Sequence, residues 1–203
     1  MAITNGYATL ADVKARLGIE TADTADDTKL ENMIEGISRA IDELCCRRFY
    51  SDGSDATRYF TAEVSEAVNP GDMVALTTLA TDENGDRVYE RTWAATDYDL
   101  EPYNAVLDSK PYTEIAVTPQ GVYSFPSGIK KGVKIVGKWG WPATPKSLNE
   151  ACLLLTEKLF KRKDAIFGVV GTPGMGELKQ IIKDDPEVNL LLMPYRKLDI
   201  LGV

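Results

Sequence analysis

Apolar residues recur at helical spacing near both ends of the chain and fall into short β-prone runs in its middle. Thr9 precedes Leu10, Val13 and Leu17, Asp12 takes the third helical position, and Gly18 follows the last apolar residue. That order predicts a capped two-turn helix with its stop signal in place. A polar stretch from Glu20 to Asp27 leads to a second helix. In it Leu30, Ile34, Ile37, Ile41, Leu44 and Cys45 fall three or four apart and mark one buried stripe. Thr28 and Glu31 offer a capping box, and this helix is expected to reach about Phe49, before Ser51-Asp52-Gly53.

Residues 57–141 change character. Strands are predicted at Arg58-Tyr59-Phe60, Met73 to Leu79, Arg87 to Trp93, Thr113 to Val117 and Val133 to Trp139. Asn84-Gly85 signals a tight turn between the second and third, because a type I′ turn needs φ > 0 at both central residues. Helix then returns. Thr144 can cap it, Pro145 suits its first position, and Leu148, Cys152, Leu155, Leu159 and Ile166 form its stripe. Lys158, Lys161, Arg162 and Lys163 crowd its end, where the helix dipole favours cations. A glycine-rich loop, Gly168 to Gly176, leads to a short helix near Glu177 to Lys183, which Pro186 is expected to break.

The fold class is therefore α+β: a small helical core with an inserted antiparallel β segment and an extended C-terminal tail. The 203 residues and 22.3 kDa suit a single domain. Its parts are N-terminal helices (1–56), a β insertion (57–141), a helical part (142–183) and a tail (184–203).

Composition removes most chemistry. No apolar run reaches the roughly 18 residues of a membrane span, and the opening MAITNGYATL lacks a basic region followed by an apolar one, so a soluble protein without an export signal is expected. The histidine count is zero, which excludes His-based triads, His general bases and His-bearing zinc sites within this chain. Cys45, Cys46 and Cys152 are odd in number and two are adjacent. Buried free thiols in a reducing compartment are the expectation, rather than a disulfide framework. The net charge of −8 is uneven: residues 1–56 carry −5, residues 57–128 carry −8, and residues 129–203 carry +5. Such polarity suits solvated helix faces, and equally head-to-tail contact between copies.

Four motifs invite a ligand. Gly171-Thr172-Pro173-Gly174-Met175-Gly176 matches the first six positions of a P-loop, but Glu177 and Leu178 stand where Lys and Ser/Thr are required. Asp82-Glu83-Asn84-Gly85-Asp86 begins like a calcium loop, yet its glycine comes fourth and the twelfth position is Trp93, so a hairpin tip is expected. Asp97, Asp99 and Glu101 alternate as outward acids on a strand would, while paired acids in a cleft would serve glycoside hydrolysis. The basic run Lys158 to Lys163 meets either a helix terminus or DNA phosphates. No catalytic, cofactor-binding or metal-ligating residue is assigned. The tail Leu190, Leu191, Leu192, Met193, Pro194, Tyr195 and Arg196 either packs on its own core or buries in a partner.

Taken in order, several segments resemble one family. Leu10-x-x-Val13-Lys14-x-x-Leu17-Gly18 is followed by Asp26-Asp27-x-x-Leu30, Ala40-Ile41-Asp42 and Arg48-Phe49-Tyr50. Leu76-Thr77-Thr78-Leu79 and Asp97 to Pro102 come next, then Val133-Lys134-Ile135-Val136-Gly137-Lys138-Trp139-Gly140-Trp141-Pro142. Pro145, Ala151 and Leu159-x-Lys161-Arg162-x-x-Ala165-x-x-Gly168 complete the set. The chain resembles the head-to-tail connector (adaptor, or head-completion) proteins of long-tailed bacteriophages, gp6-like and gp15-like. The resemblance implies a structural virion protein and not an enzyme, with no cofactor. It implies a ring of about twelve copies beneath the portal protein, in the virion neck after assembly in the host cytoplasm. Such a ring extends the channel through which double-stranded DNA passes without sequence-specific binding, touches no membrane, and docks a stopper or tail-completion protein. By position, the portal contact falls on Leu190 to Arg196. The alternatives are another neck or tail-completion protein, or a small carboxylate-dependent enzyme.

Overall fold

A computed structural model describes residues 3–162 and 175–197. It is α+β and divides into two compact units. The helical unit is made of two separate pieces of chain, Met1–Arg48 and Thr144–Val203, and the β unit is the continuous stretch Phe49–Ala143.

In the helical unit, α1 (Leu10–Leu17) has the predicted caps: the Thr9 hydroxyl accepts from the Asp12 amide at 3.1 Å, and Gly18 takes φ +69°. Its Arg16 reaches α3 (Lys146–Arg162), pairing with Glu150 at 2.7 Å and Glu157 at 2.6 Å. Lys14 is buried and paired with Asp27 at 2.6 Å, which supplies the partner a buried ammonium requires. The second helix, α2 (Asp27–Cys45), buries Leu30, Ile34, Ile37, Ile41 and Cys45 as expected, with Leu44 at the edge of the stripe. Two details differ. The helix starts at Asp27, so Thr28 and Glu31 lie inside it and form no capping box. It also ends at Cys45 rather than Phe49, because Cys46 turns left-handed at φ +52° and donates its amide to the Asp42 carbonyl.

α3 buries Leu148, Cys152, Leu155 and Leu159. Lys163, Ile166 and residues 168–174 of the glycine-rich loop lie outside the described residues; Met175 and Gly176 open α4 (Met175–Asp184). α4 ends at Asp184, before Pro186 as expected, but Pro186 does not end the helical structure. It is the first residue of a further helix, α5 (Pro186–Leu192), where a missing amide hydrogen costs nothing. Asp185 caps that helix by accepting from the amides of Glu187 and Val188 at 3.2 and 3.3 Å. The same carboxylate pairs with Lys158 of α3 at 2.6 Å, so one side chain both starts α5 and fastens it.

The β unit holds two antiparallel sheets. One has the order β1 (Ala56–Phe60), β7 (Val133–Trp139), β3 (Met73–Thr81), β4 (Arg91–Thr92). The other has the order β2 (Ala67–Val68), β6 (Glu114–Val117), β5 (Tyr98–Glu101). Met73, Leu79, Trp93, Ile115, Phe125, Ile135 and Trp139 form one apolar core. Trp93 stacks on Phe125 at 4.6 Å, and the two indoles of this core find an acceptor: Trp93 donates to the Thr81 hydroxyl at 3.1 Å and Trp139 to the Ala56 carbonyl at 2.8 Å. Of the expected run Arg87 to Trp93 only Arg91–Thr92 pairs as strand.

Two glycines explain the Val133–Pro142 motif. A Cβ on Gly137 would lie 2.3 Å from the Ala75 carbonyl oxygen, where β3 shifts register against β7. Gly140 has φ +105°, and a Cβ there would lie 1.9 Å from the Tyr50 carbonyl oxygen. Backbone passes too close at both places for any side chain.

Candidate interface surfaces

Most of the described features that suggested small-molecule chemistry are tied into their own unit; the P-loop-like Gly171 to Gly174 lies outside the described residues. Cys45 and Cys152 are buried, and burial pushes both thiols up to about 11, so neither presents a thiolate nucleophile near neutral pH. Cys46 is exposed, contrary to the expectation of three buried thiols, because the left-handed turn at the end of α2 directs it outward.

The segment from Asp82 to Glu90 is a wide loop joining β3 to β4, not a two-residue turn. Gly85 does adopt a positive φ, +85°, but so does Arg87 at +73°. The Asp82 carboxylate organises the loop by accepting from the amides of Gly85, Arg87 and Asn84 at 2.7, 2.9 and 3.1 Å. Its burial pushes the carboxyl up, while the three amides and the Arg87 charge outweigh that and hold it below its ordinary value. The carboxylates of Asp82, Asp86 and Glu90 converge, with the Asn84 amide group donating to Asp86 at 3.2 Å and Glu90 at 3.1 Å.

The acids of β5 are similarly accounted for. Asp97 is buried just before the strand and accepts from the Ala94 amide at 2.9 Å, while Asp99 and Glu101 are half-buried. Two open recesses in the β unit are lined by Glu83, Asn84, Glu90, Arg91 and Tyr123, and by a set around Glu63, Val64 and Glu114. Asp97, Asp99 and Glu101 line neither. Among the described residues no helix is long and apolar enough to cross a membrane. At the end of α3, Lys161 pairs with Glu157 at 2.6 Å and Lys158 with Asp185. These pairs draw Lys158 and Lys161 of the basic run into intramolecular contacts.

What remains is surface. The seven residues singled out at 190–196 do not behave as one strip. Leu192 is fully buried, as is Val188 before it, so α5 is docked through them onto α3. Leu191, Tyr195 and Arg196 are half-buried, while Leu190, Met193 and Pro194 face outward. A single 3-10 turn, Met193–Tyr195, follows α5, and the Lys197 amide then donates to the Cys45 carbonyl at 3.1 Å. That bond satisfies one of the carbonyls left without a partner at the end of α2. Packing on its own core thus holds for Leu192, while Leu190, Met193 and Pro194 are left exposed.

A second apolar cluster was not singled out in the sequence. Tyr103, Val106 and Leu107 are exposed on the loop between β5 and β6. The loop is ordered by its own backbone: Ala105 donates to the Pro102 carbonyl at 2.9 Å, Asp108 to Asn104 at 3.0 Å and Lys110 to Ala105 at 2.8 Å. Ala105 is fully buried beneath it. No strand or helix periodicity covers Tyr103–Leu107, so the only available signal was apolar residues among the turn formers Pro102, Asn104 and Asp108.

No protein-family model matches the chain, and no curated protein matches it. Solved structures do. The chain is similar to one in the neck of an empty GTA (gene transfer agent) particle computed with C6 symmetry, with TM-score 0.57 and 18% identity over 100% of this chain and 96% of that one. It is also similar to one in the neck of a native GTA particle computed with C12 symmetry, with TM-score 0.54 and 19% identity over the same shares. At these identities the shared property is the fold, helical unit and β unit together.

Proposed function

We propose that this chain is a structural neck protein of a phage-like particle, an adaptor that forms a ring between head and tail. The observation that carries the reading is the match of the whole chain to chains found in GTA necks of C12 and C6 symmetry. A fold shared end to end is more informative here than any motif, since the conspicuous polar groups of the described chain serve its own architecture.

In this reading about twelve copies stack beneath the portal protein, continue the DNA channel, and present a platform for a stopper or tail-completion protein. Helical unit and β insertion act as one adaptor domain. A net charge of −8 per copy favours passage of DNA over adhesion to it. The portal contact assigned to Leu190 to Arg196 narrows to Leu190, Met193 and Pro194, because Leu192 is occupied within its own unit. Truncation after Leu190 would remove a core residue, so point substitution is the proper probe.

The test is electron microscopy of the purified protein mixed with the portal ring of the same particle. The reading requires a ring of added density stacked on the portal with matching rotational symmetry. A bare portal beside free monomer, at concentrations well above those of assembly, would refute it.

A further inference from the structure

The two sheets of the β unit differ in the sign of their charge. Strands β1, β3, β4 and β7 carry Arg58, Arg91, Lys134 and Lys138 and no carboxylate. Strands β2, β5 and β6 carry Asp99, Glu101 and Glu114 and no cation. Both sheets cover one apolar core, with Ile135 and Trp139 facing it from the first and Leu100 and Ile115 from the second. Alternation along the strands therefore turns Lys134 and Lys138 away from that core, and likewise Asp99, Glu101 and Glu114.

Lys134 and Lys138, with Lys130 and Lys131 in the turn before β7, form no ion pair among the described residues. That turn is fastened to the β3–β4 loop: Tyr89 donates to the Lys131 carbonyl at 2.8 Å and Arg87 to the Lys130 carbonyl. Asp55, Asp86 and Glu90 border this face and are outnumbered by the four lysines and Arg87. The opposite face adds Glu63, Glu66 and Asp108 at its border, with Lys110 against them. Glu101 and Glu114 stand directly across from each other in the β5–β6 register, a like-charge pair that weakens a sheet. Exposed apolar side chains adjoin both faces, Tyr59 and Val88 near the lysines, and Val64, Tyr103, Val106 and Leu107 near the acids. Asp99 and then Glu101 push the pKa of the Tyr103 hydroxyl up, which sets the Tyr103–Leu107 loop beside the acidic face. Val122 lies between β6 and β7 and is assigned to neither face. Leu190 and Met193 belong to the helical unit and stay with the portal contact.

We infer that these faces are the two halves of the contact between neighbouring copies: the acidic β2-β6-β5 face of one copy lies on the lysine-bearing β1-β7 face of the next. The occupant of each face is a second copy of this chain, and the inference rests on the ring reading above. A ring closes through a heterologous contact, in which each copy offers two different, complementary patches. Acidic face on lysine face meets that requirement, whereas two like faces repel and select against an isologous pair. Lysines arriving from a neighbour also relieve the opposition of Glu101 and Glu114, which nothing in their own sheet does. Exposed ion pairs add little affinity, so the charges set orientation while Tyr59 and the Tyr103–Leu107 loop supply apolar area. The three-stranded face is only about 14 Å on a side. The adjoining loop is therefore needed to approach the roughly 800 Å² that each partner buries in a standard interface.

The test exchanges the charges in the full chain. One set of copies carries Lys134→Glu and Lys138→Glu, the other Glu101→Lys and Glu114→Lys. Each is incubated with the portal ring and imaged by electron microscopy, after circular dichroism and tryptophan fluorescence have shown it folded. Either set alone presents like faces to its neighbours, so ring yield is expected to fall by about ten-fold or more. Mixed in equal amounts, the two sets can alternate around an even-numbered ring, and every contact again joins opposite charges. The mixture, and a single chain carrying all four substitutions, are expected to recover to within about three-fold of the wild-type yield. Lys138→Gln and Glu114→Gln are milder probes for the case in which a reversal unfolds the β unit. Both should lower ring yield, and Glu114→Gln should do so while leaving the unit at least as stable. Wild-type yield from either reversed set alone, or from both milder variants, would overturn the pairing and leave the adaptor reading intact. So would losses in both reversed sets that the mixture does not repair. If the lysine set forms rings normally but releases duplex DNA that wild-type rings retain, that face meets DNA and the pairing is wrong. If the wild-type chain forms no ring, the adaptor reading fails and the pairing with it.

Discussion

The helical unit and the β unit reach their folds by different routes. The helical unit is assembled from two distant pieces of chain, yet nearly every signal that shapes it is local: a cap, a stripe, a stop. The β unit is one continuous stretch, yet its geometry is decided by backbone segments far apart in sequence that approach closely, Gly137 on Ala75 and Gly140 on Tyr50. Continuity of chain and locality of information are therefore separate properties. All three tryptophans, Trp93, Trp139 and Trp141, lie in the β unit. Fluorescence consequently reads one unit while helical circular dichroism reads chiefly the other, and each substitution below can be assigned to its unit.

The largest effect is expected at Gly140→Ala. The added Cβ meets the Tyr50 carbonyl and the positive φ is strained, so a loss of about 3 kcal/mol or more is expected in the fluorescence-monitored urea transition. Next comes Leu192→Ala, which empties a fully buried site and should cost about 2–5 kcal/mol in the transition followed at 222 nm. Leu190→Ala, two residues away and exposed, should stay within about 0.5 kcal/mol while reducing ring assembly. A large folding defect from Leu190→Ala would show that the segment is all core and end its role as a contact.

Smaller again is Asp185→Ala, which removes the cap of α5 and the partner of Lys158. A loss of about 1–2 kcal/mol in the helical transition is expected. The smallest effect is a pH dependence of the same unit. Burial pushes Asp185 up, but Lys158 and the amides of Val188 and Glu187 outweigh it and hold the carboxyl below its ordinary value. Lys161 and then Arg16 do the same for Glu157. Both carboxyls have depressed folded-state pKa values, so their contribution is complete above the ordinary carboxylate range. It is lost as pH falls through the folded values. Urea midpoints at 222 nm should therefore fall below about pH 4, and Asp185→Asn should flatten that fall. A midpoint that rises on acidification would contradict the assignment.

Legibility followed the same division. Thr9, Gly18 and the stripe of α2 could be read because their partners lie within a few residues. Val133 to Trp139 could be read because one long run fills a central strand. The end of α2 was missed because nothing about Cys46 announces a left-handed residue. The hairpin at Asn84-Gly85 was misjudged in length because Asp82, two positions earlier, gathers three amides and widens the loop. Pro186 does end the helix before it, and α5 is hidden because the same Asp-Pro pair is also a start. Of the candidate contacts, Leu190 and Met193 were named but could not be separated from Leu192, whose inward direction depends on α3. The Tyr103–Leu107 cluster stayed hidden because exposure on an irregular loop has no periodicity to betray it.

The most direct test of the adaptor reading is to count copies. Native mass spectrometry of the portal ring incubated with excess of this chain should show one dominant complex, with about twelve copies added and no ladder of partial occupancies. A spectrum holding only the unloaded portal and the 22.3 kDa monomer would contradict the central claim.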